Sequence, residues 1–131
     1  MVDWTTKTDL LRCSPKFWNH PRYDFVIADL PSQGRVFVQL VFLFTCRVGA
    51  SAYPLALVQA LERNPRHGVV RDTDKKLSIS RWRIRARSRC EIISVQSIVR
   101  GAVLIPDTKY AGDYFVVNTI DADMFLRVKV M

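Results

Sequence analysis

Four arginines occupy alternate positions between Arg81 and Arg87, and Arg89 continues the series to the end of the segment RWRIRARSR. Successive side chains of an extended strand point to opposite faces, so these arginines share one face, and Trp82 and Ile84 share the other. Guanidinium groups bind phosphates through paired hydrogen bonds and stack on nucleobases. The chemistry of this stretch is therefore recognition of anions, and the alternation predicts that Trp82 points into the core.

The positive charge of the chain is concentrated around this strand. The 131 residues include 20 Lys and Arg against 12 Asp and Glu, a formal net charge of +8. Residues 62–89 contain ten of the basic residues but only three acidic ones. Such a region attracts polyanions, and its binding should weaken steeply with added salt. The predicted nucleic-acid-binding residues are Arg71, Lys75, Lys76, Arg81, Arg83, Arg85, Arg87 and Arg89.

The basic region leaves the identity of its partner open. No motif for reading base edges accompanies it, so we expect binding with little sequence specificity, with DNA favoured over RNA. One alternative is a module that docks an acidic protein or a chromatin peptide. Another is that the arginines pair with the remainder of a longer chain, or that they keep an exposed edge strand from aggregating.

Residues that could support catalysis or bind metals are sparse. Asp121 and Asp123 form a DxD pair of the kind that can hold Mg²⁺ in a nuclease, but Asp121 is also placed to cap a helix. Cys90 lies beside Arg89, and His67 is the nearest base in the sequence for a cysteine nucleophile. The spacing of cysteines and histidines does not fit a zinc site. We predict no catalytic residues, no metal site and no cofactor.

A strand with one apolar and one basic face needs neighbouring strands to bury the apolar side. Apolar or alternating runs bounded by turn residues predict these strands. The predicted strands span residues 23–29, 35–48, 53–61, 81–89, 90–95, 97–106 and 113–119. The run at 35–48 has one face, from Val36 to Val48, without a polar break, and its centre is apolar on both faces. That pattern indicates a bent strand shared by two parts of a small barrel.

The remaining segments complete the predicted domain organisation. Residues 1–22 are expected to form an irregular arm, held on the surface by Trp4, Phe17 and Trp18, and residues 23–131 a single β-rich domain. Residues 62–77 are predicted to be a loop that extends the basic surface. A short helix is predicted over 122–128, capped by Asp121. The predicted fold is mainly β, a small partly open β-barrel with one or two short helices, loosely similar to bromo-adjacent homology or SH3-like modules.

The cysteines and the apolar runs indicate the cellular environment in which the chain is expected to work. Cys13, Cys46 and Cys90 are widely spaced and odd in number, which argues against a disulfide framework and favours a reducing compartment. The longest apolar run, residues 36–44, is far shorter than the roughly 20 residues of a membrane-spanning helix. A membrane is therefore not an expected partner.

Several apolar motifs resemble a known family. The segments YPLALVQ at Tyr53, SVQSIVRGA at Ser94 and DYFVVNTIDADMFLRV at Asp113, together with HPRYD at His20 and FLFTC at Phe42, carry the likeness. The chain resembles, from about Cys13 to Met131, a domain of proteins encoded by Plavaka-type, CACTA-like DNA transposons of mushroom-forming fungi. The resemblance implies a nuclear, transposon-derived product in which this domain accompanies a separate transposase core. A cytoplasmic location is the alternative, and the family supplies no catalytic residues for this region.

Overall fold

The computed structural model of the chain describes residues 10–31, 33–63, 80–84 and 90–131. Within these ranges the protein has ten strands, one 3-10 turn and one α-helix, which confirms that the fold is mainly β. The strands are β1 (Cys13–Phe17), β2 (His20–Tyr23), β3 (Phe25–Leu30), β4 (Gly34–Val48), β5 (Ser51–Arg63), β6 (Arg81–Ile84), β7 (Cys90–Ser94), β8 (Ile98–Ala102), β9 (Leu104–Pro106) and β10 (Asp113–Val116). The 3-10 turn is Val95–Ser97 and helix α1 is Ala122–Val130.

Strands β3 to β10 form one antiparallel sheet. Its order is β8-β3-β4-β5-β6-β10-β9, and β7 pairs additionally with β5. Strands β8 and β9 are consecutive pieces of one extended run, separated by Val103, yet they lie at opposite ends of this order. Two such pieces have no turn between them, so they cannot pair with each other as antiparallel neighbours. The described sheet is open, and it does not support the predicted barrel or the likeness to bromo-adjacent homology and SH3-like modules.

The first half of β4 is buried on both faces, whereas the sequence predicted this two-sided burial at the centre of the strand. Phe37 lies in one core cluster with Ile27 and Leu61, whereas Val38 lies in the other with Val26. All five side chains are fully buried. Side chains that alternate along one strand therefore enter two different cores, which makes β4 the element that joins the two halves of the domain.

A β-bulge at Val41 changes which side chains share a face. Leu40 pairs with Val58, but the next pair in the ladder is Phe42 with Leu57, so Val41 is an extra residue in β4. Because Val58 and Leu57 point to opposite faces, Leu40 and Phe42 do too. The prediction of one unbroken apolar face from Val36 to Val48 is therefore wrong beyond Leu40. In the outer half of β4, Phe42 is exposed.

The segment predicted to be an irregular arm contains a β-hairpin. Strands β1 and β2 pair around a two-residue turn, Trp18–Asn19, and we call residues 13–23 the Trp18 hairpin. Its base is tied to the main sheet by Asp24, whose carboxylate accepts a 2.7 Å hydrogen bond from the backbone N–H of Arg12. Trp4 lies outside the described residues.

Helix α1 is capped as predicted. The Asp121 carboxylate accepts a 2.7 Å hydrogen bond from the backbone N–H of Met124, which satisfies one free donor of the first turn. The helix ends at Val130, two residues beyond the prediction, and buries Met124 and Val128 against the core that contains Trp82. Across the described ranges, we found no helix with the length and apolar character needed to cross a bilayer.

Candidate nucleic-acid interface

Strand β6 carries the described part of the predicted basic strand. It lies between β5 and β10, where Arg83 is opposite Glu62 on one side and Asp113 on the other. Residues directly opposite each other on neighbouring strands share a face, so Arg83 sits in a row with two carboxylates. The arginine face of β6 therefore adjoins acidic residues as well as basic ones.

Trp82 points into the core, as the alternation predicts. Its side chain is 3% exposed and meets the Phe37 ring edge-on, with a centroid separation of 4.8 Å. Its indole N–H donates a 2.9 Å hydrogen bond to the Ser80 hydroxyl, so the buried polar group is satisfied. Burial of this ring fixes which face of β6 carries the arginines.

Arg81 departs from the expectation of a solvent-facing side chain. It lies on the face opposite Trp82 but is only 8% exposed. Its Nη1 is 2.5 Å from an Asp107 carboxylate oxygen and 3.2 Å from an Asp113 oxygen, and its guanidinium lies over the Phe115 ring. The carboxylates belong to a chain segment about thirty residues downstream, which the local pattern around Arg81 does not reveal. Arg81 is thus an internal ion-pair residue rather than an open phosphate ligand.

The ion pair also changes the acidity of Asp107. The hydrogen bond from Arg81 lowers the pKa of the Asp107 carboxyl below its ordinary value, and the backbone N–H of Lys109 contributes in the same direction. Both donors stabilise the charged form of the carboxylate. Asp107 therefore remains a carboxylate partner for Arg81 under mildly acidic conditions.

Two arginines near β6 remain accessible to a ligand. Arg83 is half-buried, its side chain makes no hydrogen bond or ion pair with a residue in the described ranges, and Arg63 is exposed at the end of β5. The other predicted binding residues fall outside the described ranges, so the structure does not show whether they join Arg83. They are Arg71, Lys75, Lys76, Arg85, Arg87 and Arg89.

Most of the described aspartates are used inside the fold. Six aspartates pair with five arginines at 2.5 to 3.2 Å. Arg22 pairs with Asp24, Arg35 with Asp29, Arg81 with Asp107 and Asp113, Arg100 with Asp121 and Asp123, and Arg127 with Asp123. The structure describes three of the ten basic residues in 62–89, and of these Arg81 takes part in the pairs above, whereas Arg63 and Arg83 do not. By sequence this stretch has ten basic and three acidic residues, against ten and nine in the rest of the chain, so the surplus positive charge belongs mainly to it.

The DxD pair has a structural role. Arg100 donates two hydrogen bonds to the Asp121 carboxylate, at 3.0 and 3.1 Å, and one of 2.9 Å to Asp123. Arg127 also donates to Asp123, at 2.8 Å, and these arginines, Arg127 most strongly, lower the pKa of that carboxyl. Carboxylates held by arginines and by a helix N-terminus are poor candidates for a shared Mg²⁺ site. The described ranges contain no group of three or more His, Cys, Asp or Glu placed to hold a metal ion.

The cysteines do not form an identifiable nucleophilic site. Cys13, Cys46 and Cys90 are free thiols, each half-buried. Burial raises the pKa of the Cys13 thiol, which reduces the fraction of reactive thiolate. His67, the base considered for Cys90, lies outside the described residues.

The Trp18 hairpin is a second exposed feature, and its exposed ring contradicts the prediction that Trp18 holds this segment on the domain surface. Trp18 is 83% exposed at the tip, and Trp18 and Asn19 have φ values of 49° and 66°. Positive φ at both positions defines the hairpin turn that normally contains Asn-Gly, and it costs a bulky residue about 1–2 kcal/mol. The usual Asn-Gly signal is absent here, which explains why the hairpin was not predicted.

The hairpin also carries a cluster of cationic groups. The guanidinium carbons of Arg12 and Arg22 lie 4.6 and 5.0 Å from the centroid of the Phe17 ring, and the Phe17 ring meets Trp18 at 6.1 Å. Such cation–π contacts hold arginine side chains in place while they keep their charge. The exposed indole therefore lies next to a fixed pair of positive groups.

No family model matches the chain, and no curated protein and no solved structure was found to match it. The function is therefore argued from the residues and their geometry.

Proposed function

We propose that this chain is a non-enzymatic module that binds nucleic acid with little sequence specificity, with DNA favoured over RNA. The proposal is supported by the uneven distribution of basic and acidic residues along the chain. Aspartates elsewhere in the described fold are paired with arginines, whereas the sequence of 62–89 has ten basic residues and only three acidic ones. Arg83 and its neighbours in sequence would contact phosphates, because arginine forks match phosphate oxygens.

Arg81 has a different part in this proposal. Its ion pairs with Asp107 and Asp113 hold β6 against β10, so it would position the binding strand without touching the ligand. The proposed ligand-contacting set is therefore Arg71, Lys75, Lys76, Arg83, Arg85, Arg87 and Arg89.

The biological setting of the proposal rests on the resemblance to transposon-encoded proteins. In that setting the module works in the nucleus, beside a transposase core that supplies the chemistry. Sequence-tolerant contact with the phosphate backbone suits an accessory domain, since target choice and strand cleavage then belong to other parts of the machinery.

A salt series with charge-reversal variants tests the proposal. Fluorescence anisotropy of a labelled DNA duplex would be measured for the wild type and for Arg83→Glu combined with Arg85→Glu. The matched control is Arg47→Glu combined with Lys129→Glu, which makes the same change in net charge at exposed positions outside the basic region. We expect the first variant to weaken binding by more than about tenfold. The slope of log affinity against log salt concentration should become smaller in magnitude by about two, which corresponds to two lost phosphate contacts. The control should change affinity by less than about threefold, since long-range effects are screened by salt.

Two outcomes would count against nucleic-acid binding. Affinity that does not fall with salt would remove the electrostatic basis of the proposal. Equal losses in both variants would show that net charge matters and that the basic stretch has no special role.

A second candidate is a protein-interaction module, and one surface favours it. Phe42, Tyr53 and Ile92 are exposed on β4, β5 and β7, and Phe42 and Ile92 flank Leu57 on the same face. Exposed apolar groups of this kind often mark protein contacts. Binding of an acidic protein that persists at high salt and weakens in Phe42→Ser would favour this candidate over nucleic acid.

A further inference from the structure

The tip of the Trp18 hairpin presents a large aromatic ring to water. Tryptophan gains much from burial, and the other described tryptophan, Trp82, is buried in the core. Trp18 lies at the far end of a hairpin, where it is 83% exposed and has a T-shaped contact with the Phe17 ring. The fold itself gains little from a tryptophan at this position.

The turn does not need a tryptophan either. Both central residues have positive φ, a conformation that asparagine accepts and that a bulky side chain resists. Asparagine already occupies the second position, and a second asparagine or a glycine at position 18 would form the same turn with less strain. A strained and exposed side chain is an observation that points towards function.

The surroundings of the ring indicate the charge of its partner. Arg12, Lys16 and Arg22 are the charged residues between positions 12 and 23, and the next residue, Asp24, pairs with Arg22 at 3.0 Å. The guanidinium groups of Arg12 and Arg22 are held at the Phe17 ring, which is in contact with Trp18. A flat aromatic surface beside fixed positive groups matches a nucleotide, which joins a base with a π-face to a phosphate.

We propose that the Trp18 hairpin is a base-stacking element, with an unpaired base on the indole of Trp18 and the adjoining phosphates near Arg12 and Lys16. This inference rests on the proposed nucleic-acid binding and adds a contact separate from the basic strand. The base must be unpaired, because the faces of bases within a duplex are already stacked on their neighbours. The partner is therefore single-stranded DNA or RNA, or a nucleic acid with a flipped or terminal base.

A membrane surface fits the hairpin less well. Asn19, His20 and Pro21 next to Trp18 are exposed, and two of these three are polar. Insertion into a lipid interface is driven by a broad apolar surface, and this tip has a single apolar ring.

The test compares Trp18→Asn with Trp18→Phe in the full chain. Binding would be measured by anisotropy with a labelled single-stranded oligonucleotide of mixed sequence, and with inorganic polyphosphate as a competitor that has charge but no bases. We expect Trp18→Asn to weaken oligonucleotide binding by about 5- to 100-fold, the range for loss of one base stack. The salt slope and the affinity for polyphosphate should not change, since no phosphate contact is removed. Trp18→Phe should retain most of the binding.

A thermal unfolding measurement separates this role from a structural one. Because asparagine relieves the positive φ at position 18, Trp18→Asn should unfold at the same temperature as the wild type or at a higher one. Unchanged oligonucleotide binding in Trp18→Asn would overturn the inference, as would an equal loss of polyphosphate binding or a lowered melting temperature. A loss confined to anionic phospholipid vesicles would assign the hairpin to a membrane.

The same experiment distinguishes failure of this inference from failure of the proposed function. A wild-type chain that binds neither duplex nor single strand contradicts both. Binding that is lost in the Arg83 and Arg85 variant but unchanged in Trp18→Asn contradicts the stacking role alone. Loss in Trp18→Asn without loss in the basic-strand variant supports the stacking role and contradicts the basic strand as the site.

Discussion

The side chain of Asp113 has no exposed surface, and its charge is compensated by Arg81 at 3.2 Å. A carboxylate in such a position depends on its cationic partner, because removing one member of a buried pair leaves the other charge without compensation. Arg81 also pairs with Asp107 and lies over the Phe115 ring, so one guanidinium connects β6 with both β10 and the segment after β9. At the scale of single residues, the basic strand thus contains one arginine that serves stability.

Replacement of Arg81 should be much more costly than replacement of Arg83. We expect Arg81→Met to lower the free energy of unfolding by about 3–5 kcal/mol, since the buried carboxyl of Asp113 would lose its ion pair with Arg81. Arg83→Met is the matched control on the same strand and face. It should cost less than about 1 kcal/mol, as expected of a residue with no ion pair in the described ranges. Urea denaturation of both variants measures the difference, and equal costs would contradict the internal role of Arg81.

The paired aspartates predict how stability depends on pH. Asp29, Asp107 and Asp123 all have a carboxyl pKa lowered by arginine partners, so the unfolded chain takes up protons at a higher pH than the folded one. Their contribution is complete above the ordinary carboxyl pKa of about 3.9 and is lost as pH falls through the lower, folded values. Urea midpoints should therefore change little between about pH 6 and pH 5 and should decrease as the pH falls below about 4. The decrease should be smaller in Asp107→Asn, and an identical profile would show that the Arg81 pair does not contribute.

At the scale of elements, helix α1 is attached to the sheet through its first turn. Asp121 caps the helix and also binds the Arg100 guanidinium of β8 with both carboxylate oxygens. The same side chain therefore fixes the start of the helix and its position against a strand. This double role explains the DxD pair without any metal chemistry.

Two substitutions at Asp121 separate these roles. Asp121→Ala removes the cap and the ion pair, and we expect a loss of about 1–2 kcal/mol in the free energy of unfolding. Asp121→Asn keeps a side-chain oxygen that can accept from Met124 but removes the charge that Arg100 faces, so its loss should be smaller. Urea denaturation followed by circular dichroism at 222 nm gives both values. A larger loss for the asparagine variant would contradict the assignment of Asp121 as the cap.

Patterns in the sequence correctly predicted those elements that are determined by residues close together in the chain. The apolar alternation located β3, β4 and β5, the Asp121 cap located α1, and the period of two placed Trp82 in the core. The prediction failed where the cause lies elsewhere in the chain. Arg81 is covered by carboxylates from a distant segment, and the bulge at Val41 depends on the partner strand β5. The Trp18 turn lacks the residues that normally form it.

The candidate site could be predicted only in part for the same reason. Composition located the basic region, since charge density depends on sequence alone. Whether a given arginine faces solvent depends on which acidic residues the fold brings beside it, and this decided between Arg81 and Arg83. The Trp18 hairpin was missed because its exposed ring has no periodic signal.

For the whole molecule, two buried clusters meet across the central strands. Val26 and Val38 belong to one cluster, and Ile27 and Phe37 to the other. These strands should be the last to open, because opening them exposes both cores at once. The outer end of the β4–β5 hairpin, in contrast, projects beyond both clusters and has exposed residues on each side of the Gly49 turn.

Hydrogen exchange should reveal this difference in stability. We expect the amides of Ile27, Phe37 and Val38 to exchange at least about a hundredfold more slowly than those of Val48 and Ser51, since the former require global unfolding. Native-state exchange followed by NMR or mass spectrometry measures the ratio. Comparable rates at the two locations would mean that the central strands do not hold the two clusters together.

The extra residue at Val41 has a further consequence for comparisons between related chains. Val41 adds one position to the strand. Beyond it, every aromatic ring of β4 therefore lies on the face opposite to the one that simple alternation along the sequence predicts. A sister sequence that lacks this single residue would place Phe42 directly after Leu40, so regular alternation would keep Phe42 and Phe44 on the face that they have here. A one-residue gap at this point between related sequences would therefore not indicate a different surface.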